Sequence, residues 1–495
     1  MAGIEELRRA RLVKKAQLES RGFLAYPASV LKTHNIKQIK SDFDNLVTNK
    51  DSLFSLAGRI VSIRGQGAIL FITLLEENEK FQIVFKKDVL GDEILNFFVD
   101  TVDIGDIISV TGNLFKTERG ENSLLCQQWL MATKSLLPLP EKWHGLEDEE
   151  ERNRKRYLEM ITDPSVYSRM VMRSHIVSAI RNFFDKLDFI EVETPILQTQ
   201  AGGANAKTFD THHIDYDMDM VLRIAVELDH KTIMASGIER IYEIGKMFRN
   251  EGSDPSHIQE FTMIEWYAAY KTLDDNIEWT ENLLKHLAHD IVGKDEFKIQ
   301  DKDGNEQTIN FSGNWTREKF GDLLKQYANI DFLNITDDEL KEEVKKYGMG
   351  DDEIKNTSRA NMLDYIYKRT ARPKLINPTF VTNYPGSLKP LAQQNADGTA
   401  EVAQLIIAGS EITNQYAELV DPTVQRELME NQAKARLEGD AEAMKVNEQF
   451  LTAMEHGMPP MTGFGMGIDR IVAILTEQNN LRDTIFSPIM RPKKD

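Results

Sequence analysis

The chain has 495 residues, with 60 Lys and Arg against 79 Asp and Glu, a formal charge of −19. At about 100–200 residues per domain that length accommodates two to four domains, and a 41% hydrophobic content excludes a disordered chain. No apolar stretch approaches the ~20 residues of a membrane span, the start MAGIEELRRARLVKK has no signal-like apolar core, and the lone Cys126 excludes an intrachain disulfide and any zinc site of paired cysteines, so a cytoplasmic protein with no membrane contact is expected.

Helical spacing without Gly or Pro covers residues 4–21, and Gly22 is the natural stop. Residues 1–40 carry nine basic and three acidic side chains, a local charge of +6 on an acidic chain. Such a head is either a polyanion handle or an ordinary solvated helix face. Residues 1–50 form a basic N-terminal arm in this reading. From Leu53 to Gln127 the pattern changes to five short β-type runs, LFSLAGRIVSI, AILFITLL, KFQIVF, IISVTGNLF and ENSLLCQ. They predict a five-stranded OB-fold barrel within residues 51–140. Leu70, Ile72 and Leu74 share one strand face, as do Phe81, Ile83 and Phe85, so Phe71 and Gln82 point outward. An outward aromatic and amide on adjacent strands suit base stacking and edge reading, although each alone is an ordinary surface residue.

A linker over residues 141–165 holds part of LLPLPEKWHGL and a charge block in which Glu147–Glu151, all acidic, precede Arg152, Arg154, Lys155 and Arg156. Its i,i+4 spacing predicts an exposed helix. Residues 166–495 read as one large α+β domain with three informative segments. A helical run, Tyr167–Leu187, leads into a predicted strand, FIEVETPIL (Phe189–Leu197), stopped by Pro195. From Ile241 to Tyr270, two β-type runs flank a polar loop, predicting a long-looped hairpin. Phe261, Met263, Glu265 and Tyr267 share a face there, and Arg249 stands where the first strand enters the loop. A ring for a base and a forked guanidinium for a phosphate suit a nucleotide. In GFGMGIDRIVAIL, Gly463, Gly465 and Gly467 alternate, leaving one face bare, and a helix beginning at Ile468 carries Arg470 in its first turn. A cation there is disfavoured by the helix dipole unless an anion joins it, which hints at a triphosphate. Neither a GxGxxG fingerprint nor a P-loop is present, so kinase and dehydrogenase readings have no support.

In this order the three segments resemble motifs one, two and three of the class II aminoacyl-tRNA synthetases, and the finer resemblance, over nearly the whole chain, is to the lysyl-tRNA synthetases. It is carried by KSLLPLPEKWHGL, RNRKRYLEMI, AGGANAKTF–THH, LRIAVEL, FRNEG, EFTMIEWY, SEITNQYAEL and MGIDR–RDTIFSPIMRP. The resemblance implies an α+β fold, a six- to seven-stranded antiparallel sheet flanked by helices and preceded by the OB-fold barrel. It further implies activation of L-lysine with ATP, transfer to the 3′ end of tRNA(Lys), a need for Mg²⁺, and a homodimer paired through motif one.

By that similarity Arg249 holds the ATP α-phosphate and the amino-acid carboxylate, Phe261 stacks on adenine, Glu251 and His257 line the nucleotide, and Arg470 meets the γ-phosphate, with Arg249 and Arg470 as the catalytic pair. Glu411 is the matching metal carboxylate. Gly203, Glu227, Glu265, Tyr267, Asn414 and Glu418 match the positions around the lysine. Arg64, Phe71, Gln82 and Glu121 match those that meet the anticodon. A strand over Ile412–Leu419 puts Asn414, Tyr416 and Glu418 on one face and turns Glu411 away unless a bulge intervenes; a helix would align Glu411, Asn414 and Glu418. The strand is preferred by resemblance. Acidic residues around the substrate favour a cationic side chain, whereas an aspartate pocket would need Arg or Lys. Some positions depart from the family pattern: Ser256 replaces an Arg, Gln404 a second metal-binding Glu, Ser387 and Lys389 a Glu and a Ser, and Lys207–Thr208 an Arg-Pro pair. The rival readings are a catalytically decayed tRNA-binding paralogue, an aspartyl- or asparaginyl-type relative, and a protein-lysylating paralogue, the last disfavoured by the presence of the barrel.

Overall fold

The structure, a computed structural model, describes residues 2–140, 148–204, 206–301, 304–437 and 446–492. The start of the expected linker, Glu147 of its charge block, and Asn205 of AGGANAKTF lie outside the described residues. Two compact units divide between Ser168 and Arg169, with residues 489–492 grouped with the first.

In the first unit, helix α1 (Ala2–Ser20) ends where the Phe23 N–H returns to the Leu18 carbonyl around Gly22 at φ +79. Strands β1 (Phe54–Arg64), β2 (Ile69–Glu76) and β3 (Glu79–Lys86), helix α2 (Asp92–Thr101), and strands β4 (Ile107–Lys116) and β5 (Asn122–Thr133) follow. The strands close into a barrel in the order β1-β2-β3-β5-β4. The two-residue alternation holds: Leu70, Ile72, Leu74, Phe81, Ile83 and Phe85 are all buried. The last strand runs on to Thr133, because Trp129 and Met131 continue the inward pattern against Phe98 of α2. Closure requires close backbone approach at Gly112, where a Cβ would run into the Leu125 carbonyl.

The basic head is largely matched within this unit. Arg11 donates to the carbonyls of Ser135, Leu137 and Ile104, Lys14 pairs with Asp103 at 2.7 Å, and Arg21, Lys32 and Lys40 pair with Glu93, Glu76 and Glu79. Beneath them the buried Lys134 meets Asp103 at 2.6 Å and Asp106 at 2.7 Å. These contacts favour the solvated-face reading over a polyanion handle. The charge block forms a helix, Glu149–Arg154, with Arg154 on Glu150 and Lys155 on Glu151 at i,i+4.

The second unit is built on a sheet. Its elements are helix α3 (Pro164–Asp185), which crosses the boundary, β6 (Ile190–Glu191), α4 (Glu227–Met234), β7 (Arg240–Phe248), β8 (Glu260–Ala269), α5 (Leu273–His286), β9 (Thr316–Lys319), β10 (Thr379–Thr382), β11 (Val402–Ile407), β12 (Ser410–Ala417), β13 (Met461–Gly467) and α6 (Ile468–Leu475). Eight strands lie in the order β9-β10-β11-β12-β13-β8-β7-β6, antiparallel except for the edge pairs β9/β10 and β7/β6. Those short edge strands take the sheet beyond the six or seven implied. Residues between β9 and β10 form helices with a separate core around Phe320, Leu324, Val344 and Ile366.

The predicted strand Phe189–Leu197 does not form as one element. Only Ile190–Glu191 pairs with β7, while Leu197–Gln198 joins a separate three-stranded sheet. The Thr194 N–H binds the Glu243 carboxylate instead of a ladder carbonyl, and Pro195 has no N–H to offer.

Period two along β8 separates structure from chemistry. Ile264, Trp266 and Ala268 pack with Phe184, Phe464 and Ile468 on the helix-covered face. Met263, Glu265 and Tyr267 face a cavity on the other. Among the described residues no helix is long and apolar enough to cross a membrane.

Candidate active site

The floor of the cavity is set by strand register. On β13 each of Gly467, Gly465 and Gly463 stands opposite a β8 residue, respectively Met263, Glu265 and Tyr267. On its other side Gly465 and Gly463 stand opposite Asn414 and Tyr416 of β12. A glycine between two larger neighbours is a trough, and the volume enclosed is about 370 Å³. The bare face expected at Gly463 is filled by the protein itself, since a Cβ there would meet Glu418 Oε1 and the Tyr267 ring.

Of the residues assigned to ATP and lysine, Gly203, Glu227, Arg249, Glu251, His257, Phe261, Glu265, Tyr267, Glu411, Asn414 and Arg470 line this one cavity. Glu411 reaches it through a bulge: Leu405 pairs with Thr413 and Ile406 with Glu411, so Ile412 is the extra residue. The bulge resets the alternation and returns Glu411 to the side of Asn414. The strand expected over Ile412–Leu419 therefore forms with the proviso on Glu411 met, but it ends at Ala417, so Glu418 does not join Asn414 and Tyr416 on the cavity wall.

The Phe261 end is cationic. The Arg249 guanidinium lies 5.1 Å from the Phe261 ring and makes only long contacts, 3.4 Å, to the Ile224 carbonyl. Burial pushes its pKa down, against the pull of Glu251 and Glu265. No carboxylate among the described residues pairs with it, so its forked donors are available to an anion. Arg470 donates to the Glu411 backbone carbonyl at 2.8 Å, which anchors the start of α6 to β12. Asp469, buried beside it, takes Arg173 Nη1 at 2.5 Å and the Thr262 N–H at 2.7 Å, and so locks α6 to β8. Glu251 and His257 are exposed on the hairpin loop, where His257 Nδ1 is 2.9 Å from Asp254.

The Tyr267 end is rich in carboxyl groups and buried. Lys231 of α4, fully enclosed, sits 2.7 Å from Glu227 and 2.5 Å from Glu418. Burial alone would push this ammonium down, but the two carboxylates hold it above its ordinary value. Glu418 lies beyond Gly463 and is the one assigned lysine residue that does not line the cavity. Burial raises the Glu265 carboxyl to about 8, helped by Glu227 and opposed by Arg249. Behind this layer, Glu243 accepts from Arg223 at 2.6 Å and from the Thr194 hydroxyl at 2.8 Å, and it contacts His230 at 3.1 Å. Sequence reading passed over Lys231, Arg173, Asp469 and the Glu243 cluster. Of these, only the i,i+4 spacing of Lys231 from Glu227 carried a local signal.

On the barrel, Arg64 and Phe71 are cross-strand partners, Arg64 exposed and Phe71 half-buried. Gln82 stands opposite Thr73 and Ser123, donating to Ser123 Oγ at 2.9 Å, and Glu121 is exposed just before β5.

A stacking ring, two guanidinium groups and a glycine trough running into buried carboxylates can hold an adenine nucleotide end to end with a cationic metabolite. The profile of the tRNA synthetases class II (D, K and N) matches residues 148–491, and that of the OB-fold nucleic acid binding domain matches residues 54–131. The chain belongs to the class II tRNA synthetases. Curated relatives of this synthetase family include three proteins named lysine–tRNA ligase. Those of Prochlorococcus marinus (strain MIT 9301) and Carboxydothermus hydrogenoformans are each 39% identical, covering 99% of this chain and 97% and 99% of their own lengths. That of Clostridium perfringens (strain SM101 / Type A) is 40% identical over 99% of this chain and 96% of its own length.

Proposed function

We propose that this synthetase activates L-lysine with ATP to lysyl-adenylate and transfers the lysyl group to the 3′ end of tRNA(Lys). The observation that carries the reading is the placement of Glu227 and Glu265 at the far end of the trough, with Glu418 behind Gly463, away from Phe261, Arg249 and Arg470. An amino acid laid along β13 with its carboxylate toward Arg249 puts its side chain among those carboxylates. A desolvated ammonium needs such counter-charge, and an aspartate or asparagine side chain would be repelled or left unpaired there.

The lysine carboxylate is already a nucleophile, so the protein's work is alignment. Arg249 binds the α-phosphate and the carboxylate, Phe261 stacks on adenine, His257 and Glu251 border the nucleotide, and Arg470 takes the γ-phosphate. Asn414, Tyr267 and the Gly203 backbone orient the amino acid. Among the described residues no group of three or more His, Cys, Asp or Glu could hold a metal, so a cage built from protein ligands does not fit. One Mg²⁺ held by Glu411 together with phosphate oxygens does fit, and would neutralise phosphate charge. Arg64, Phe71, Gln82 and Glu121 form the anticodon-reading face of the barrel.

A homodimer acting in the cytoplasm completes the proposal. Ile190, Ile196 and Leu197 are about half exposed, and Ile214 and Tyr216, at a hairpin tip of the same small sheet as Leu197, are 89% and 71% exposed. Such an apolar surface favours a partner copy. Lysine-dependent ATP–pyrophosphate exchange, followed by charging of tRNA(Lys), tests the reading.

A further inference from the structure

The cavity contains a third cation that the assigned roles leave unused. Lys389, in the segment that follows a short 3-10 turn at Gly386–Leu388, is a lining residue. Its Nζ lies 3.3 Å from Asn414 Oδ1, 5.5 Å from the Tyr384 ring centroid and 5.7 Å from that of Tyr416. Among the described residues no carboxylate lies within ion-pair distance of it. A desolvated ammonium with one amide contact and two aromatic faces keeps donors available, and burial lowers its pKa, with Glu411 the largest charge acting to restore it.

Its surroundings lack metal donors. The carboxylate on that stretch of β12 is Glu411 alone. Across the ladder from Asn414 stands Gln404, buried, whose Nε2 donates to the same Asn414 Oδ1 at 3.3 Å. The Asn414 amide nitrogen in turn donates to the Tyr416 hydroxyl. Two nitrogen donors therefore converge on the Asn414 amide oxygen and occupy it. Magnesium ions need oxygens in near-octahedral array, and one carboxylate flanked by an ammonium does not supply them for a second ion. In charge terms, a neutral amide behind Asn414 where a carboxylate is expected and an ammonium in the cavity where a hydroxyl is expected leave the site two units more positive, the charge of one divalent ion.

We propose that Lys389 is a built-in cation of the nucleotide site, its ammonium binding the triphosphate in place of a second divalent ion. The proposal rests on the ATP reading above. A lysine serves as a phosphate-binding point charge where flexibility matters more than a fork geometry. Affinity for ATP should then survive removal of divalent cations to a degree that depends on residue 389.

The test is calorimetric titration of ATP into the full-length protein, with excess chelator and with saturating Mg²⁺. Wild-type protein should bind ATP in chelator, and Lys389→Gln, which keeps length and a hydrogen-bond donor, should weaken that binding about tenfold or more. With Mg²⁺ the loss should be smaller. Lys389→Arg should retain chelator-resistant binding, which a merely structural role in the 386–391 turn would not require. The double substitution Lys389→Ser with Gln404→Glu should bind ATP only with Mg²⁺ and take up more Mn²⁺ per nucleotide by electron paramagnetic resonance. If wild type and Lys389→Gln bind ATP equally in chelator, Lys389 does not touch the triphosphate and the proposal is overturned. A wild type that binds ATP only with Mg²⁺ would overturn the proposal too, whereas failure to bind ATP both in chelator and with Mg²⁺ would instead overturn the nucleotide reading itself.

Discussion

Glu265 is a carboxyl group enclosed by Glu227, Arg249 and the Val226 backbone, and burial raises it to about 8 from an ordinary 4.5. Between those values the folded, ligand-free protein holds a proton there that the unfolded chain has released. Its contribution is most favourable at or below pH 4.5 and declines as pH rises toward 8. Glu265→Gln removes that decline, so thermal unfolding of the ligand-free variant should gain on the wild type as pH rises through this window. The same substitution should cut lysine activation by roughly a hundredfold while ATP affinity holds, because a buried ammonium loses a counter-charge. An ammonium arriving beside Glu265 also favours its ionised form, so lysine binding at neutral pH should expel a proton, visible as a binding enthalpy that varies with the buffer's ionisation heat. Burial raises Glu418 to about 8 as well, but Lys231 opposes the rise and sits against its carboxyl group. Glu418→Gln should therefore lower stability as well as lysine activation, by about 3 kcal/mol or more, and a second change, Lys231→Met, should restore part of the stability but none of the activity.

The elements carry the geometry. On β13, Gly465→Ala meets nothing closer than the flexible Met263 Cε at 3.3 Å, so the variant should fold and bind substrates weakly because a methyl rises from the trough floor. Gly463→Ala would strike Glu418 and the Tyr267 ring, and should lose stability too. Comparing the two by thermal unfolding and by exchange kinetics separates cavity filling from misfolding. On the barrel, Phe71→Ala should weaken tRNA charging and leave pyrophosphate exchange intact; equal loss in both would make Phe71 a packing residue.

Elements with strict periodicity were readable in advance. Alternation in LFITLL and KFQIVF assigned the barrel interior side chain by side chain, and the run from Phe261 to Tyr267 identified one wall of the site. What escaped depends on contacts distant in sequence or on a local break of period. The bulge at Ile412 has no signature in SEITNQYAEL, the strand Phe189–Leu197 is cut short by a Thr194–Glu243 hydrogen bond, and the cations of α1 meet Asp103 and backbone carbonyls about a hundred residues away. Lys389 was visible as a departure from pattern, but its place in the cavity is set by a loop that periodicity does not govern.

At the scale of the whole molecule, a sheet face that is apolar toward α3, α5 and α6 and polar toward the cavity explains how one α+β fold keeps a charged trough beside a hydrophobic core. The exposed apolar side chains near Leu197 and Ile214 argue for a second copy. Sedimentation at micromolar concentration should give about twice 56.6 kDa, and a charged substitution at Ile196 should shift the boundary toward the monomer. A wild-type chain sedimenting as a monomer would show that these side chains do not pair two copies.

Selection of lysine by the carboxylate-lined end of the trough is read by ATP–pyrophosphate exchange with the wild-type protein, each of the twenty standard amino acids being supplied in turn. Exchange should depend on lysine, with aspartate and asparagine at background. Exchange driven by aspartate or asparagine, or none with lysine while ATP still binds, would contradict that selection.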